Sequence, residues 1–263
     1  MRRDWLAGEL MAVINAHAHI GDTRVFDADN DEGDLLRAMD SNGVEVSLVM
    51  PSAGCRDAPA IHDRIARLAR EKRGRFYGIV QMNPHTDREV YAAEARRCAR
   101  DLGFVAVKIH PLGYGVDPKS RDADMVFQVA RDLSIAVMIH TGSGLPWGLP
   151  ALWIPLAQRY PEVNVVLAHA GMAVFTAEAH LAAKLCPNVY LETSWAKPGE
   201  LLWLTRDLGA DRVMMGADLL SNMPIELFKY RSLGLGQDEL EMCLGGTAAA
   251  VFRLPIAAVS EKS

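Results

Sequence analysis

Short apolar segments alternate with longer amphipathic segments along nearly the whole chain. The short segments are rich in β-branched residues and predict buried strands, and the longer ones have apolar residues at helical spacing. The predicted strands are residues 13–19, 44–50, 76–82, 104–110, 135–140, 163–169, 188–193 and 212–217. The predicted helices are residues 35–42, 58–72, 87–102, 121–133, 149–160, 174–185, 199–208, 224–232 and 237–252, with a kink expected at Pro155.

Eight strand–helix repeats with short connections predict an α/β fold whose parallel sheet closes into a (β/α)8 TIM barrel. An open, doubly wound sheet is the alternative. No linker or shift in composition marks a second domain, so we expect one barrel over residues 13–254. Residues 1–12 are interpreted as an N-terminal extension and residues 255–263 as a C-terminal tail. The polar, acidic segment 21–34 is expected to be a loop that covers a site.

Composition excludes several classes of protein. The chain has 263 residues, a formal charge of −5 and no block of Lys and Arg, which argues against nucleic-acid binding. Its apolar runs are shorter than the ~18 residues that a membrane span needs. The N-terminal residues lack the apolar core of a secretory signal. We therefore expect a cytoplasmic protein whose scattered cysteines are reduced: Cys55, Cys98, Cys186 and Cys243.

Polar residues recur where the predicted strands end. His17 and His19 are two apart on one strand, so both side chains leave the backbone on the same side. The active sites of barrels lie at the C-terminal ends of their strands. The other polar residues at these ends are Lys108, His110, His140, His169, Glu192 and Asp218. Three further histidines fall on helices or a loop and are interpreted as solvated: His62, His85 and His180.

This set of side chains predicts a metal site. Burying so many polar groups without partners would cost ~1–3 kcal/mol each, so they are expected to bind one another or an ion. Imidazole and carboxylate ligands suit zinc, which lowers the pKa of a bound water to ~7. Manganese, iron or cobalt can use the same ligands.

Several motifs resemble one family. The segment Asn15-Ala16-His17-Ala18-His19 resembles the (D/N)-x-H-x-H opening of the amidohydrolase superfamily. Residues 138–142, 167–171 and 215–218 look like the ends of its fifth, sixth and eighth strands, and residues 244–252 are similar to its closing helix. The resemblance spans residues ~13–254 in register with a TIM barrel. The nearest branch is the amidohydrolase-related group that includes aminocarboxymuconate-semialdehyde decarboxylase.

The resemblance implies one divalent metal ion, bound by His17, His19, His140 and Asp218. It also implies catalytic roles for Asp218, as general base, and for His169, which would activate water or steady developing charge. The chain departs from the family pattern after Asp218, where Leu219-Leu220 replaces the usual x-Pro, so the loop on the substrate side is expected to differ.

Substrate-binding residues are predicted less directly. Lys108 or His110 is expected to bind an anionic group of the substrate, with a Lys108–Glu192 pair as the alternative. In binuclear relatives a carbamylated lysine on the fourth strand bridges two metal ions, and Lys108 lies on that strand. Trp147 and Trp195 follow strand ends and are expected to line the pocket, which suits a flat substrate.

Three functions remain open at this point. The first is a metal-dependent hydrolase that uses a metal-activated water on a small amide, lactone or ester. The second is a metal-dependent, non-oxidative decarboxylase of an aromatic or muconate-like acid, in which Lys108 or His110 anchors the carboxylate. The third is a barrel that binds a ligand or metal without catalysis. The compact size and the absence of long insertions favour the hydrolase. The short loops indicate a small-molecule substrate, and a homodimer is possible.

Overall fold

The computed structural model describes residues 12–25, 27–142, 144 and 146–255. Apart from residues 12 and 255, the predicted N-terminal extension and C-terminal tail lie outside this part of the chain. The domain limits therefore stay a prediction. In the described part, no helix is long and apolar enough to cross a membrane.

Nine strands in the described residues form one curled sheet in an α/β fold. The strands are β1 (Ile14–Thr23), β2 (Ala28–Asn30), β3 (Val46–Pro51), β4 (Phe76–Gln81), β5 (Ala106–Ile109), β6 (Ala136–His140), β7 (Val165–Ala168), β8 (Val189–Glu192) and β9 (Val213–Met214). From β1 through β3 to β9 they pair in parallel in the order of the sequence. This order lacks the reversal of a doubly wound sheet, which removes that alternative.

The segment predicted to be a covering loop is instead largely a β-hairpin. β1 runs on to Thr23, and β2 pairs with it in antiparallel register, with Gly21 opposite Asn30. Gly21 has φ +86°, and a Cβ there would lie 2.7 Å from the Cδ1 atom of Ile61. The sequence did not predict this pairing, because β2 is polar and largely exposed and so lacks the apolar alternation of a half-buried strand.

The two ends of the parallel sheet are joined by hydrogen bonds. The backbone N–H of Ala16 donates to the carbonyl of Met215 at 3.1 Å, and the N–H of Asp218 donates to the carbonyl of His17 at 2.9 Å. The side chain of Asn15 accepts from the backbone N–H of Ala217 at 2.8 Å. These bonds place Asp218 beside the first strand.

The helices surround the sheet, and most of them lie on its outer face. They are α1 (Glu32–Asn42), α2 (Ala58–Glu71), α3 (Arg88–Arg100), α4 (Pro111–Tyr114), α5 (Arg121–Leu133), α6 (Ile154–Arg159), α7 (Thr176–Leu185), α8 (Pro198–Leu208), α9 (Met223–Ser232), α10 (Gln237–Glu241) and α11 (Thr247–Val251). Side-chain caps explain several starts: Asp31, Asp57, Asp87 and Ser120 accept backbone N–H groups of α1, α2, α3 and α5.

Two predicted helices are divided. Residues 149–160 form a 3-10 helix, Pro150–Trp153, and then α6, with Pro155 in the first turn of α6. This agrees with the expected kink, because proline removes a backbone donor. The last predicted helix contains a π-helical turn, Met242–Gly246, between α10 and α11. A Cβ on Gly245 would lie 2.0 Å from the carbonyl oxygen of Ala12, so the close approach to the N-terminal segment requires glycine.

Apolar side chains pack in two layers. One cluster lies between the sheet and the helices, and a smaller one collects residues of the sheet's inner face, including Ile14, Met138, Val166 and Met214. Successive residues of a strand therefore pack alternately in the outer and the inner cluster. A curled sheet that is covered by helices on its outer face requires this alternation. The four cysteines are all free thiols.

His62 was expected to be solvated, and that expectation is wrong. The side chain is buried between α2, α3 and β4. Its Nε2 accepts the backbone N–H of Gln81 at 3.2 Å, so its Nδ1 donates to Glu94 at 2.7 Å. Because both ring nitrogens have partners, this cluster, which also includes Cys98, is best explained as a structural link between helices and sheet.

Replacing Glu94 with Gln is expected to destabilise the fold by about 1–3 kcal/mol at neutral pH. Burial alone would raise the pKa of Glu94, but hydrogen bonds from His62, Arg97 and Cys98 outweigh it and hold that pKa far below its ordinary value. The charged carboxylate therefore contributes its stability above pH ~4.5, and the contribution is lost as pH falls further. Urea unfolding of the wild type and of Glu94→Gln, at several pH values from 7 to 3, measures this contribution.

The control for this prediction is Glu89→Gln, which changes an exposed glutamate on the same helix. It is expected to unfold like the wild type. The role assigned to the charge would be contradicted if the difference in unfolding free energy between the wild type and Glu94→Gln stayed constant down to pH 3.

Candidate metal centre

Two histidines in the middle of β1 and one aspartate after β9 bring their side chains together. The Nε2 atoms of His17 and His19 are 3.1 Å apart. Oδ1 of Asp218 lies 3.3 Å from Nε2 of His19 and 3.6 Å from Nε2 of His17. Potential ligand atoms of these three residues lie within 4.8 Å of one another. They form three of the four members of the predicted ligand set.

A β-bulge brings both histidines to this point. The register of β1 against β3 shifts between Asn15 and Ala18. Ala16 packs in the inner cluster, whereas Ala18 packs in the outer one, so the extra residue places His17 and His19 toward the inside. Periodicity alone would have indicated that these histidines share a side, but not that the side is the inner one.

His140, the fourth predicted ligand, lies outside that three-residue group but belongs to the same histidine cluster. Its Nδ1 faces Nε2 of His169 at 3.0 Å, and the ring of His169 stacks on that of His17 with centroids 5.0 Å apart. The buried Nε2 atom of His140 has no hydrogen-bond partner in the described part of the chain. An orphaned imidazole nitrogen, buried in the same histidine cluster as three converging ligands, fits a divalent metal ion.

Glu192 supports the cluster in a way that the sequence did not predict. Its carboxylate accepts from Nδ1 of His17 at 2.9 Å, and from the backbone N–H and the hydroxyl of Ser194 at 2.6 and 3.0 Å. The predicted alternative, a Lys108–Glu192 pair, is therefore replaced by a His17–Glu192 pair. Such a carboxylate holds a ligating histidine in one tautomer and orientation. The Ser194 hydroxyl also contacts Nδ1 of His169 at 2.7 Å.

Lys108 and His110 are both buried, but they differ in their contacts. Nζ of Lys108 lies 3.2 Å from Nε2 of His17, directly beside the cluster. His110 follows the end of β5; its Nδ1 accepts the backbone N–H of Gly113, and its ring stacks on that of His140 at 4.2 Å. Lys108 is thus the better placed of the two to meet an anionic ligand.

Burial dominates the electrostatics of these groups. It lowers the pKa of His169 to about 3 and holds the pKa values of His17, His110 and His140 well below their ordinary range. These imidazoles are therefore neutral, which is the form that binds metal. Burial also lowers the pKa of Lys108 to about 8.

Asp218 behaves in the opposite way. Burial would raise its pKa, but His17, His19 and His169 outweigh this and hold the pKa of the carboxyl group well below its usual range. The side chain is therefore a carboxylate, which can accept a proton or bind a cation.

Three of the residues at these strand ends have a strained backbone. His169, Trp195 and Asp218 follow β7, β8 and β9, and their φ angles are +69°, +68° and +64°. Residues other than glycine rarely adopt this left-handed backbone conformation, which raises the free energy of the folded state by ~1–3 kcal/mol per residue. Strain of this kind persists where neighbouring contacts hold the residue, and it is frequent in functional sites.

The two predicted aromatic residues occupy different positions. The indole N–H of Trp195 donates to Oδ2 of Asp218 at 2.8 Å, so its side chain touches the centre. Trp147 lies in the 3-10 helix Pro146–Gly148 after β6, and its carbonyl accepts the indole N–H of the buried Trp153. Contact of either residue with a substrate stays a prediction.

Comparison with known proteins identifies relatives that match most of the chain. A family model described as amidohydrolase matches residues 14–254. Gamma-resorcylate decarboxylase from Polaromonas sp. (strain JS666) is 21% identical, over 83% of this chain and 86% of that protein. The 2-amino-3-carboxymuconate-6-semialdehyde decarboxylase of Dictyostelium discoideum is 25% identical, over 61% of this chain and 55% of that protein.

Solved structures share the fold. The crystal structure of a dihydroxybenzoic acid decarboxylase from Polaromonas sp. JS666, with bound manganese and the inhibitor 2-nitroresorcinol, superposes with a TM-score of 0.76. The match covers 94% of this chain and 98% of that one, at 17% identity. At this identity the match shows the fold alone.

These relatives contradict the hydrolase that the sequence favoured. Both curated relatives are decarboxylases, which was the alternative. The hydrolase was preferred because the chain is compact and lacks long insertions. That preference failed because compactness does not distinguish the two reactions, and the predicted metal ligands suit either of them.

Proposed function

This chain belongs to the amidohydrolase family of enzymes, and on that premise we propose that it is a metal-dependent, non-oxidative decarboxylase. Its substrate is a small aromatic or muconate-like acid. The observation that carries the proposal is that both curated relatives are decarboxylases of such acids. The buried cation Lys108, beside the histidines and the carboxylate, supports an anionic substrate.

One divalent ion would be held by His17, His19, His140 and Asp218. The convergence of three of these side chains and the orphaned Nε2 atom of His140 support this ligand set. When bound, the ion would orient and polarise the oxygen atoms of the substrate. Zinc was expected from the sequence, but manganese is the better first choice, since the related dihydroxybenzoic acid decarboxylase holds it.

The chain's own residues would do the rest. Lys108 would bind an oxyanion of the substrate, and Glu192 and Ser194 would hold His17 and His169 in place. For a hydroxylated aromatic acid, Asp218 would take the proton of the hydroxyl group and deliver it to the ring carbon that bears the carboxylate. The carbon–carboxylate bond then breaks, its electron pair restores the aromatic ring, CO2 leaves, and the phenolate of the product takes up a proton from solvent. Neutral His169 would donate or accept a hydrogen bond as the charge moves.

We also infer that the sheet is a closed (β/α)8 barrel. The backbone hydrogen bonds from Ala16 to Met215 and from Asp218 to His17 support closure, as does a parallel bridge between Ala18 and Asp218. The strand ends then surround one mouth, where a barrel's active site lies.

The direct test is release of CO2 by the manganese-loaded protein. Gamma-resorcylate, other hydroxybenzoates and 2-amino-3-carboxymuconate semialdehyde are incubated with it, and both CO2 and the decarboxylated product are measured. We expect stoichiometric formation of both from at least one acid. Hydrolysis of lactones or esters without any release of CO2 would contradict the proposal.

Replacing Lys108 with Met is expected to raise KM for the acid by about 10-fold or more, because the variant loses a charge-assisted hydrogen bond. The metal content of the variant should match that of the wild type, since lysine is not a proposed ligand. Steady-state kinetics and elemental analysis measure both. Lys184→Met, on the exposed face of α7, is the control and should leave KM unchanged. Loss of metal from Lys108→Met would instead indicate a bridging role for Lys108.

A further inference from the structure

Trp195 makes a contact that a pocket-lining residue does not need. Its indole N–H donates to Oδ2 of Asp218 at 2.8 Å, while Oδ1 of the same carboxylate faces Nε2 of His19 at 3.3 Å. A carboxylate can rotate about its last bond and exchange its two oxygens. A donor fixed on one oxygen removes that freedom and leaves the other oxygen directed at the histidines.

The backbone of Trp195 is held at its strained φ of +68° by a buried side chain on α9. Oε1 of Glu226 accepts the N–H of Trp195 at 2.9 Å and a side-chain N–H of Asn222 at 2.9 Å. The same amide group of Asn222 donates to the carbonyl of Ala217 at 3.0 Å. Glu226 therefore ties the loop that carries Trp195 to the loop that carries Asp218.

Lys229 completes this connection. Its Nζ donates to the carbonyl of Ala196 at 2.8 Å and pairs with Oε2 of Glu226 at 2.6 Å. Glu226, Asn222 and Lys229 are buried, and none of them is used by the proposed reaction. A buried polar network whose members bond to Trp195, Ala196 and Ala217 fixes the relative position of these two loops.

We propose that Trp195 is a positioning residue for Asp218, held in place by Glu226, and that it sets the affinity of the centre for its divalent ion. The inference rests on the proposed function only through the role of Asp218 as a ligand. Trp195 then acts through the carboxylate that it orients. Loss of a hydrogen-bond partner of this kind typically weakens metal binding by ~10–100-fold.

The test compares Trp195→Phe with Trp203→Phe. The two tryptophans are matched in exposure, at 38% and 40%, but Trp203 lies on α8, stacked on His180. The full-length proteins are freed of metal with a chelator and titrated with Mn2+. We expect the Kd for Mn2+ to rise about 10-fold or more in Trp195→Phe and to stay within about twofold of wild type in Trp203→Phe.

Two further measurements separate positioning from packing. Mn2+ is expected to change the tryptophan emission of the wild type and of Trp203→Phe, but not that of Trp195→Phe. In Trp195→Gln, the side-chain amide is as many bonds from Cβ as the indole N–H, so this variant should bind Mn2+ more tightly than Trp195→Phe. Circular dichroism establishes that all the variants are folded.

Several outcomes overturn the inference. A Kd for Mn2+ in Trp195→Phe within about twofold of wild type, with only KM raised, would make Trp195 a substrate contact. Equally weak Mn2+ binding by Trp195→Gln and Trp195→Phe would show that the hydrogen-bond donor at position 195 does not affect the affinity. If the wild type binds Mn2+ but releases no CO2, the proposed function is overturned. The role of Trp195 is then still decided by the Kd values for Mn2+ of Trp195→Phe and Trp203→Phe. A wild type that binds no divalent ion would overturn both.

Discussion

Replacing Asp218 with Asn is expected to lower kcat for decarboxylation by about 10³-fold. The amide is nearly the same size, so the fold should survive, but it can neither accept nor return the proton that the proposed reaction moves. It is also a neutral and weaker metal ligand than a carboxylate. Rates of CO2 release at saturating metal, with circular dichroism as the check on folding, measure the effect.

The matched control is Asp207→Asn on α8. Asp207 also contacts a histidine, with its carboxylate 2.6 Å from Nε2 of His180, but this pair lies on the surface. It should keep wild-type activity. If Asp218→Asn stays as active as Asp207→Asn, the assigned mechanism is wrong.

His17→Ala is expected to remove the metal ion. Elemental analysis of protein purified without added metal should find about one divalent ion per wild-type chain and almost none in the variant, because the converging group loses its central member. Activity should fall at least 100-fold. The loss also removes the 2.9 Å contact of the buried Glu192 with His17, one of several hydrogen bonds to that carboxylate, so the variant should unfold at a lower temperature.

His180→Ala serves as the control, since this histidine lies on α7 and stacks on Trp203. Its metal content should equal that of the wild type. Two ions per wild-type chain would instead favour a carbamylated Lys108 as a bridge. No metal in the wild type, even after reconstitution with Mn2+ or Zn2+, would contradict the proposed centre.

The sequence alone predicted much of the fold, and the relatives agree with the family it resembled. The eight parallel strands lie where apolar segments were found, because burial on both faces leaves a continuous apolar signal. The His-x-His pair was visible because a strand repeats every two residues. The hairpin after β1 was missed, since its pairing partner lies in polar sequence that carries no such signal.

The reaction was not readable from the ligands. Histidines and an aspartate at the strand ends serve hydrolysis and decarboxylation alike, so the choice came from the relatives. Lys108 was expected to bind an anionic group of the substrate, with a pair to Glu192 as the alternative. In the structure its Nζ atom lies beside His17, because the bulge in β1 aims that histidine inward.

Local sequence thus determined which residues end the strands, because periodicity and apolar content are properties of neighbouring residues. Only the tertiary structure decided which of them meet. Glu192 holds a histidine 175 positions away, and Trp195 donates to Asp218 from a backbone conformation that no tryptophan prefers. Long-range hydrogen bonds such as these depend on how the strands are arranged around the sheet, which no local pattern encodes.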